Sequence, residues 1–111
     1  MLAILYCNNN QIIALDVSHN AALTHLCCYN NRLAEFDVSR NTALAWLWCY
    51  GNQLTALDVT GATALRRLSC GGNRLTTLDV SHNTALTGLD CGAGVDVVRG
   101  DAQARSAARR R

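Results

Sequence analysis

None of the 111 residues is proline or lysine, so no proline-rich linker divides the chain and all ten basic residues are arginine. No apolar run approaches the roughly 20 residues that cross a bilayer. The opening MLAILYCNNN has neither a basic start nor an apolar stretch long enough for a secretory signal. As written, the sequence therefore predicts a cytoplasmic protein. No CxxC or paired Cys/His spacing offers a zinc site, and no Ser/His/Asp arrangement, phosphate loop or nucleotide motif is present. Enzymatic chemistry has no constellation to carry it, and no cofactor is expected. The charge is also divided. Residues 1–94 carry five arginines against six acids, whereas residues 95–111 carry five arginines against Asp96 and Asp101. The body is thus no polyanion binder, and only the tail is basic.

What the sequence has in abundance is periodicity. Shifted by 21 residues, it falls on itself: Leu2, Leu23, Leu44, Leu65 and Leu86 share one column, and Leu5, Leu26, Leu47, Leu68 and Leu89 another. Cys7, Cys28, Cys49, Cys70 and Cys91 form a third, and Asn10, Asn31, Asn52 and Asn73 a fourth. The unit reads LxxLxCxxNxLxxLDVSxNxx and nearly repeats within itself, so each coil consists of two half-turns of about ten residues. A fixed period in the twenties specifies a solenoid. In each half-turn alternate side chains point inward, as in a short strand. The asparagine that follows can turn the chain and bond buried backbone groups, giving a ladder from coil to coil.

On these columns the chain resembles the leucine-rich repeat family, and most closely its short, nested 21-residue bacterial class. The resemblance covers residues 2–94, about 4.4 units, with 95–111 left as a basic, disordered tail. It implies a curved solenoid with parallel strands along one face, little or no helix, and a second line of short strands or irregular turns opposite. It also implies ligand binding on the concave strand face, and membership in a longer secreted or surface protein. Two positions break the pattern: Ala62 stands where its sisters are Asn20, Asn41 and Asn83, and Gly94 stands where Asn is expected.

The cysteine column reads as core thiols in the place of leucine or valine. Stacked parallel side chains are poorly disposed for disulfides, although bridges and a metal remain alternatives. Cys27, beside Cys28, should face outward and is a candidate exposed thiol. Asp16, Asp37, Asp58 and Asp79 stack as well. Each is followed two residues later by Ser or Thr, so a structural turn is the favoured reading over calcium binding or acid–base catalysis. His19 and His82 fall in a turn column with Arg40 and Gly61 and read as solvated loop residues.

The stretch LAWLWCYGNQL raises the functional question, because it holds three of the five Trp and Tyr residues. With Leu47 and Cys49 inward, Trp46, Trp48 and Tyr50 must face out. The three outward columns are Ile4/His25/Trp46/Arg67/Gly88, Tyr6/Cys27/Trp48/Ser69/Asp90 and Asn8/Tyr29/Tyr50/Gly71/Gly92, and they contain every Trp and Tyr of the chain. The predicted ligand-binding face is Tyr6, His25, Tyr29, Trp46, Trp48, Tyr50, Arg66 and Arg67. Trp, Tyr and Arg dominate binding hot spots, while cross-strand aromatics can instead merely cover a sheet. A protein or peptide ligand fits best, and a glycan is the alternative.

Neither end shows an evident cap. Asp96, Arg99 and Asp101 fall where a further 21-residue step requires apolar core residues, so the repeat is expected to stop at residue 94. The chain then reads either as part of a longer array with a structural role or as a small protein that hides its ends by end-to-end self-association. The arginine tail leaves nucleic-acid or membrane-surface association as a further alternative, and the RGD at Arg99–Asp101 is too short to carry weight.

Overall fold

A computed structural model of the chain describes residues 1–100. Within them lie seven three-residue strands and no helix: β1 (Ile4–Tyr6), β2 (His25–Cys27), β3 (Trp46–Trp48), β4 (Arg67–Ser69), β5 (Thr77–Asp79), β6 (Gly88–Asp90) and β7 (Asp96–Val98). Strands β1, β2, β3, β4 and β6 form one parallel sheet in that order. Its register is the sequence period: Leu5 pairs with Leu26, Leu26 with Leu47, Leu47 with Leu68 and Leu68 with Leu89. Each coil therefore contributes one strand, and every column found in the sequence becomes a row of stacked side chains.

Alternation decides what each row does. The central leucine of β2, β3 and β4 is at most 2% exposed, and Cys28, Cys49 and Cys70 are fully buried. They join Leu23, Leu44, Leu65, Val38, Val59 and Val80 in one continuous core. Burying one such leucine contributes about 1.5–3 kcal/mol, so the coil-on-coil interfaces hold the fold together. All six cysteines are free thiols.

Two asparagine rows satisfy backbone groups that the solenoid would otherwise bury unpaired. Asn52 accepts the Leu33 N–H at 3.0 Å and donates to the carbonyls of Cys28 and Cys49 at 3.1 and 3.0 Å, tying coil to coil. Asn31 and Asn73 repeat this pattern one coil away on either side. In the second row Asn41 donates to Val17 and Asn20, and Asn83 donates to Val59 and Ala62. Ala62 is fully buried in that row and supplies only its carbonyl, so one rung is missing. The turn after the cysteine strand needs a left-handed residue, supplied by Asn9 and Asn30 (φ 59° and 57°), then by Gly51 and Gly72 (φ 68° and 64°).

The opposite side is built of turns with a second, shorter sheet. Asp37 and Asp58 form an isolated parallel bridge, and β5 pairs with β7. The pairing β5–β7 shows where the period changes. Leu78 faces Val97, a register of 19 residues instead of 21. Gly92 and Gly94, at φ 79° and 80°, shorten the turn between them, and Val95 and Val97 then pack on the core. The expectation of a stop at residue 94 therefore requires correction. A 21-residue step would have brought Arg99 beneath Leu78, whereas the two-residue contraction brings Val97 there and extends the second sheet to Val98. The predicted disordered tail falls mostly in residues 101–111, outside the described residues, as does Asp101 of the RGD.

Each stacked aspartate closes a turn. Asp16, Asp37, Asp58 and Asp79 accept the backbone N–H two residues on at 2.8–3.0 Å, and Asp58 and Asp79 also accept the hydroxyls of Thr60 and Ser81 at 2.6 Å. Those hydrogen bonds hold the carboxyls of Asp16, Asp58 and Asp79 below their ordinary pKa. One oxygen of each carboxylate is thus engaged in a local turn, which is the structural reading of LDVS and LDVT.

Candidate binding face

The outward rows of the five-stranded sheet carry the aromatic residues, because their inward neighbours are committed to the core. His25 and Trp46 are register partners on β2 and β3, and their rings lie 5.0 Å apart at 59°. Trp46 and Trp48 lie on the same face of β3, two residues apart, with ring centroids 5.6 Å apart and tilted by 52°. Arg67, the partner of Trp46 on β4, sets its guanidinium over the indole at 6.0 Å. Just beyond the strands, Tyr29 and Tyr50 stack face to face, 4.5 Å between centroids and 8° from parallel. These are favoured arrangements of aromatic and cationic groups, which orient rings that stay partly open to solvent.

Six of the eight residues expected at the face are thus brought into two adjoining clusters. Tyr6 sits at the open edge on β1, 66% exposed. Arg66 precedes β4, exposed, and its backbone carbonyl accepts the N–H groups of Thr87 and Gly88. Neither Tyr6 nor Arg66 makes a ring contact among the described residues.

Cys27 corrects an expectation. It does lie on the outward face, yet it is only 4% exposed. Its short side chain is flanked in register by Tyr6 and Trp48, and the larger neighbours take its solvent. Burial pushes its thiol pKa up, as it does at Cys7. The inward thiols are shifted further: Cys28 and Cys70 are each pushed up to about 12 by desolvation, and Cys49 well above its ordinary value. Protonated, desolvated thiols are poor nucleophiles and poor metal ligands. No cluster of three or more His, Cys, Asp or Glu side chains suited to a metal occurs among the described residues.

The residues that sequence reasoning passed over are glycines. The row Asn8/Tyr29/Tyr50/Gly71/Gly92 switches from aromatic to bare after Tyr50, which opens a groove of about 470 Å³ floored by Gly71, Gly72 and Gly92, with Ser69 and Asp90 beside it. The signal was present in the column, but only the stacking of the two tyrosines gives it a shape.

The coil register, the asparagine ladders and the leucine core define a solenoid of the leucine-rich-repeat type. In particular, the fold is similar to the solved functional domain of InlJ from Listeria monocytogenes, described as including a cysteine ladder. The two share 46% sequence identity with a TM-score of 0.82 over 86% of this chain, which spans 21% of the InlJ chain. No protein-family model and no curated protein matches the chain. No helix among the described residues is long and apolar enough to cross a membrane.

Proposed function

We propose that the chain is a non-enzymatic interaction module of the short 21-residue bacterial leucine-rich-repeat class, and that it binds a protein or peptide through its aromatic strand face. The observation that carries this reading is the chain of ring contacts His25–Trp46–Trp48 with Arg67 over Trp46 on the solvent side of the sheet. Those side chains are half-buried or exposed, so they retain surface that a ligand can desolvate. Tyr6, Tyr29, Tyr50 and Arg66 extend the same surface. The likeness to InlJ supports the module reading.

The likeness in which this chain spans a fifth of its neighbour favours a further element: the coils belong to a longer array in a secreted or surface protein. The exposed Leu2, Ile4 and Ile13 of the first coil are consistent with such stacking.

The test is selection of peptide ligands from a displayed library, in parallel with a glycan array, on the immobilised chain. Ligands selected on the natural face should lose at least roughly tenfold in affinity for the Trp46→Ala/Trp48→Ala double variant, as hot-spot residues do. Peptide binders indifferent to both tryptophans would sink the reading, and binding confined to the glycan array would replace the partner class.

A further inference from the structure

The groove beside Tyr50 is an interrupted stack. Tyr29 covers one face of the Tyr50 ring. The next coil, about 4.8 Å further along, would place a third ring against the other face, but that position is Gly71. Nothing in the backbone demands glycine there. Gly72 and Gly92 have positive φ, and Gly71 does not. A Cβ built on Gly71 would meet the Gly92 nitrogen at 3.5 Å and Asp90 Oδ1 at 3.7 Å, both ordinary contacts. The gap is thus a vacant planar slot with an aromatic wall on one side and a carboxylate oxygen beside its glycine floor.

The chemistry of the slot is specific. Asp90 Oδ1 accepts the Gly92 N–H at 3.3 Å, and the carboxylate has no ion-pair partner among the described residues. Arg67, on the adjacent strand, is engaged over Trp46. A group that fills the slot must be flat, to stack on Tyr50 at the distance Tyr29 does. It must also be cationic, to be favoured beside Asp90. A guanidinium satisfies both: it is planar, weakly hydrated, stacks on rings and forms forked hydrogen bonds to carboxylates. An ammonium has the charge without the plane. A sugar can stack and donate hydroxyls to the carboxylate, but it leaves the charge uncompensated, as a neutral ring does.

We infer that this slot receives the guanidinium of an arginine side chain on a protein or peptide partner, stacked on the free face of Tyr50 and ion-paired with Asp90. The inference rests on the strand face being the binding surface, and it gives that surface a preference.

The experiment is an amide NMR titration of the full chain at low salt with the capped tripeptide Gly-Arg-Gly, compared with its citrulline and lysine counterparts and with N-acetylglucosamine. The arginine peptide should produce saturable millimolar shifts at the Gly71, Gly72 and Gly92 amides, with lysine weaker by roughly fivefold and citrulline inert. Asp90→Asn should weaken arginine binding by roughly tenfold. Gly71→Tyr, which completes the stack, should keep a dispersed spectrum and abolish the shifts. No saturable shift with the arginine peptide overturns the proposal, as does an equal response to citrulline, or N-acetylglucosamine shifting these amides in its place. Library-selected ligands that depend on Trp46 and Trp48 but not on Asp90 would overturn the slot and leave the wider face intact.

Discussion

Asn52 accepts the backbone N–H of Leu33 at 3.0 Å, across the boundary between two coils, in a site closed to solvent. The same side chain donates to Cys28 and Cys49, so one amide serves three backbone groups of the core. Asn52→Ala leaves the Leu33 donor buried without an acceptor, which costs about 1–3 kcal/mol before the lost donations are counted. The expected loss is about 2–4 kcal/mol in urea unfolding. Asn41→Ala should cost less, because Asn41 only donates, to carbonyls that already accept the N–H groups of Asn20 and Leu23. The buried Ala62 in the same row shows that this ladder tolerates a missing rung. Equal costs for the two substitutions would contradict the assignment.

The buried thiols predict sensitivity to alkali. Cys28 and Cys70 have folded pKa values raised to about 12, against an ordinary 9.0, and Cys49 is shifted in the same direction. Where the folded pKa is raised, the unfolded chain loses its proton first, so the stabilising contribution is complete below pH 9 and is lost as pH rises toward 12. The half-buried Tyr50 phenol is raised as well, by desolvation and its neighbour Tyr29, and acts in the same sense. Urea midpoints should therefore fall steadily from about pH 9 upward. Cys28→Ala or Cys70→Ala should flatten that slope, at the cost of a lower midpoint at neutral pH. A profile with the same slope in these variants would remove the thiols from the explanation.

Thiol labelling separates the cysteines. At neutral pH, Cys28, Cys49 and Cys70 should react with a maleimide only on unfolding, while Cys7 and Cys91, in the end coils, should react in the folded protein. Cys27 should resemble the buried group in the natural chain and become reactive in Trp48→Ala. Rapid labelling of Cys27 in the unaltered chain would show that its neighbours do not cover it.

The contrast between Leu26 and Cys27 shows how far the sequence could be read. A period of 21 with strict alternation names the face for both, because stacked strands repeat their register and successive side chains oppose. It also names the ladders and the outward position of every Trp and Tyr. Alternation says nothing about the size of neighbours on the adjacent strands, so it predicts an exposed Cys27 where Tyr6 and Trp48 bury it. The contraction at Gly92 and Gly94 was hidden for another reason. A change from 21 to 19 residues depends on two left-handed backbone conformations, and composition alone does not reveal how many residues such a turn removes. The slot at Gly71 needed the Tyr29–Tyr50 stacking geometry, since a glycine in a column signifies space only when the shape beside it is known.

The end coils should be the least protected part of this chain when it is studied alone. Leu2, Ile4 and Ile13 are 44%, 48% and 74% exposed, and β1 and β6 each have one unpaired edge among the described residues. Amides in residues 2–12 and 86–94 should exchange much faster than those of β2 and β3, and the chain should associate end to end as concentration rises. A clean monomer by sedimentation at micromolar concentration, with strong protection of both ends, is the opposite result.

On the proposed reading, the aromatic strand face contacts a partner and does not hold the sheet together. The most direct measurement is the circular dichroism spectrum and thermal melt of Trp46→Ala/Trp48→Ala beside Asn52→Ala. The tryptophan double variant should keep an unchanged spectrum and lose little in Tm, well short of the drop caused by Asn52→Ala, while losing the selected ligands. A double variant that unfolds as readily as Asn52→Ala would contradict it, because the two indoles would then be covering the sheet.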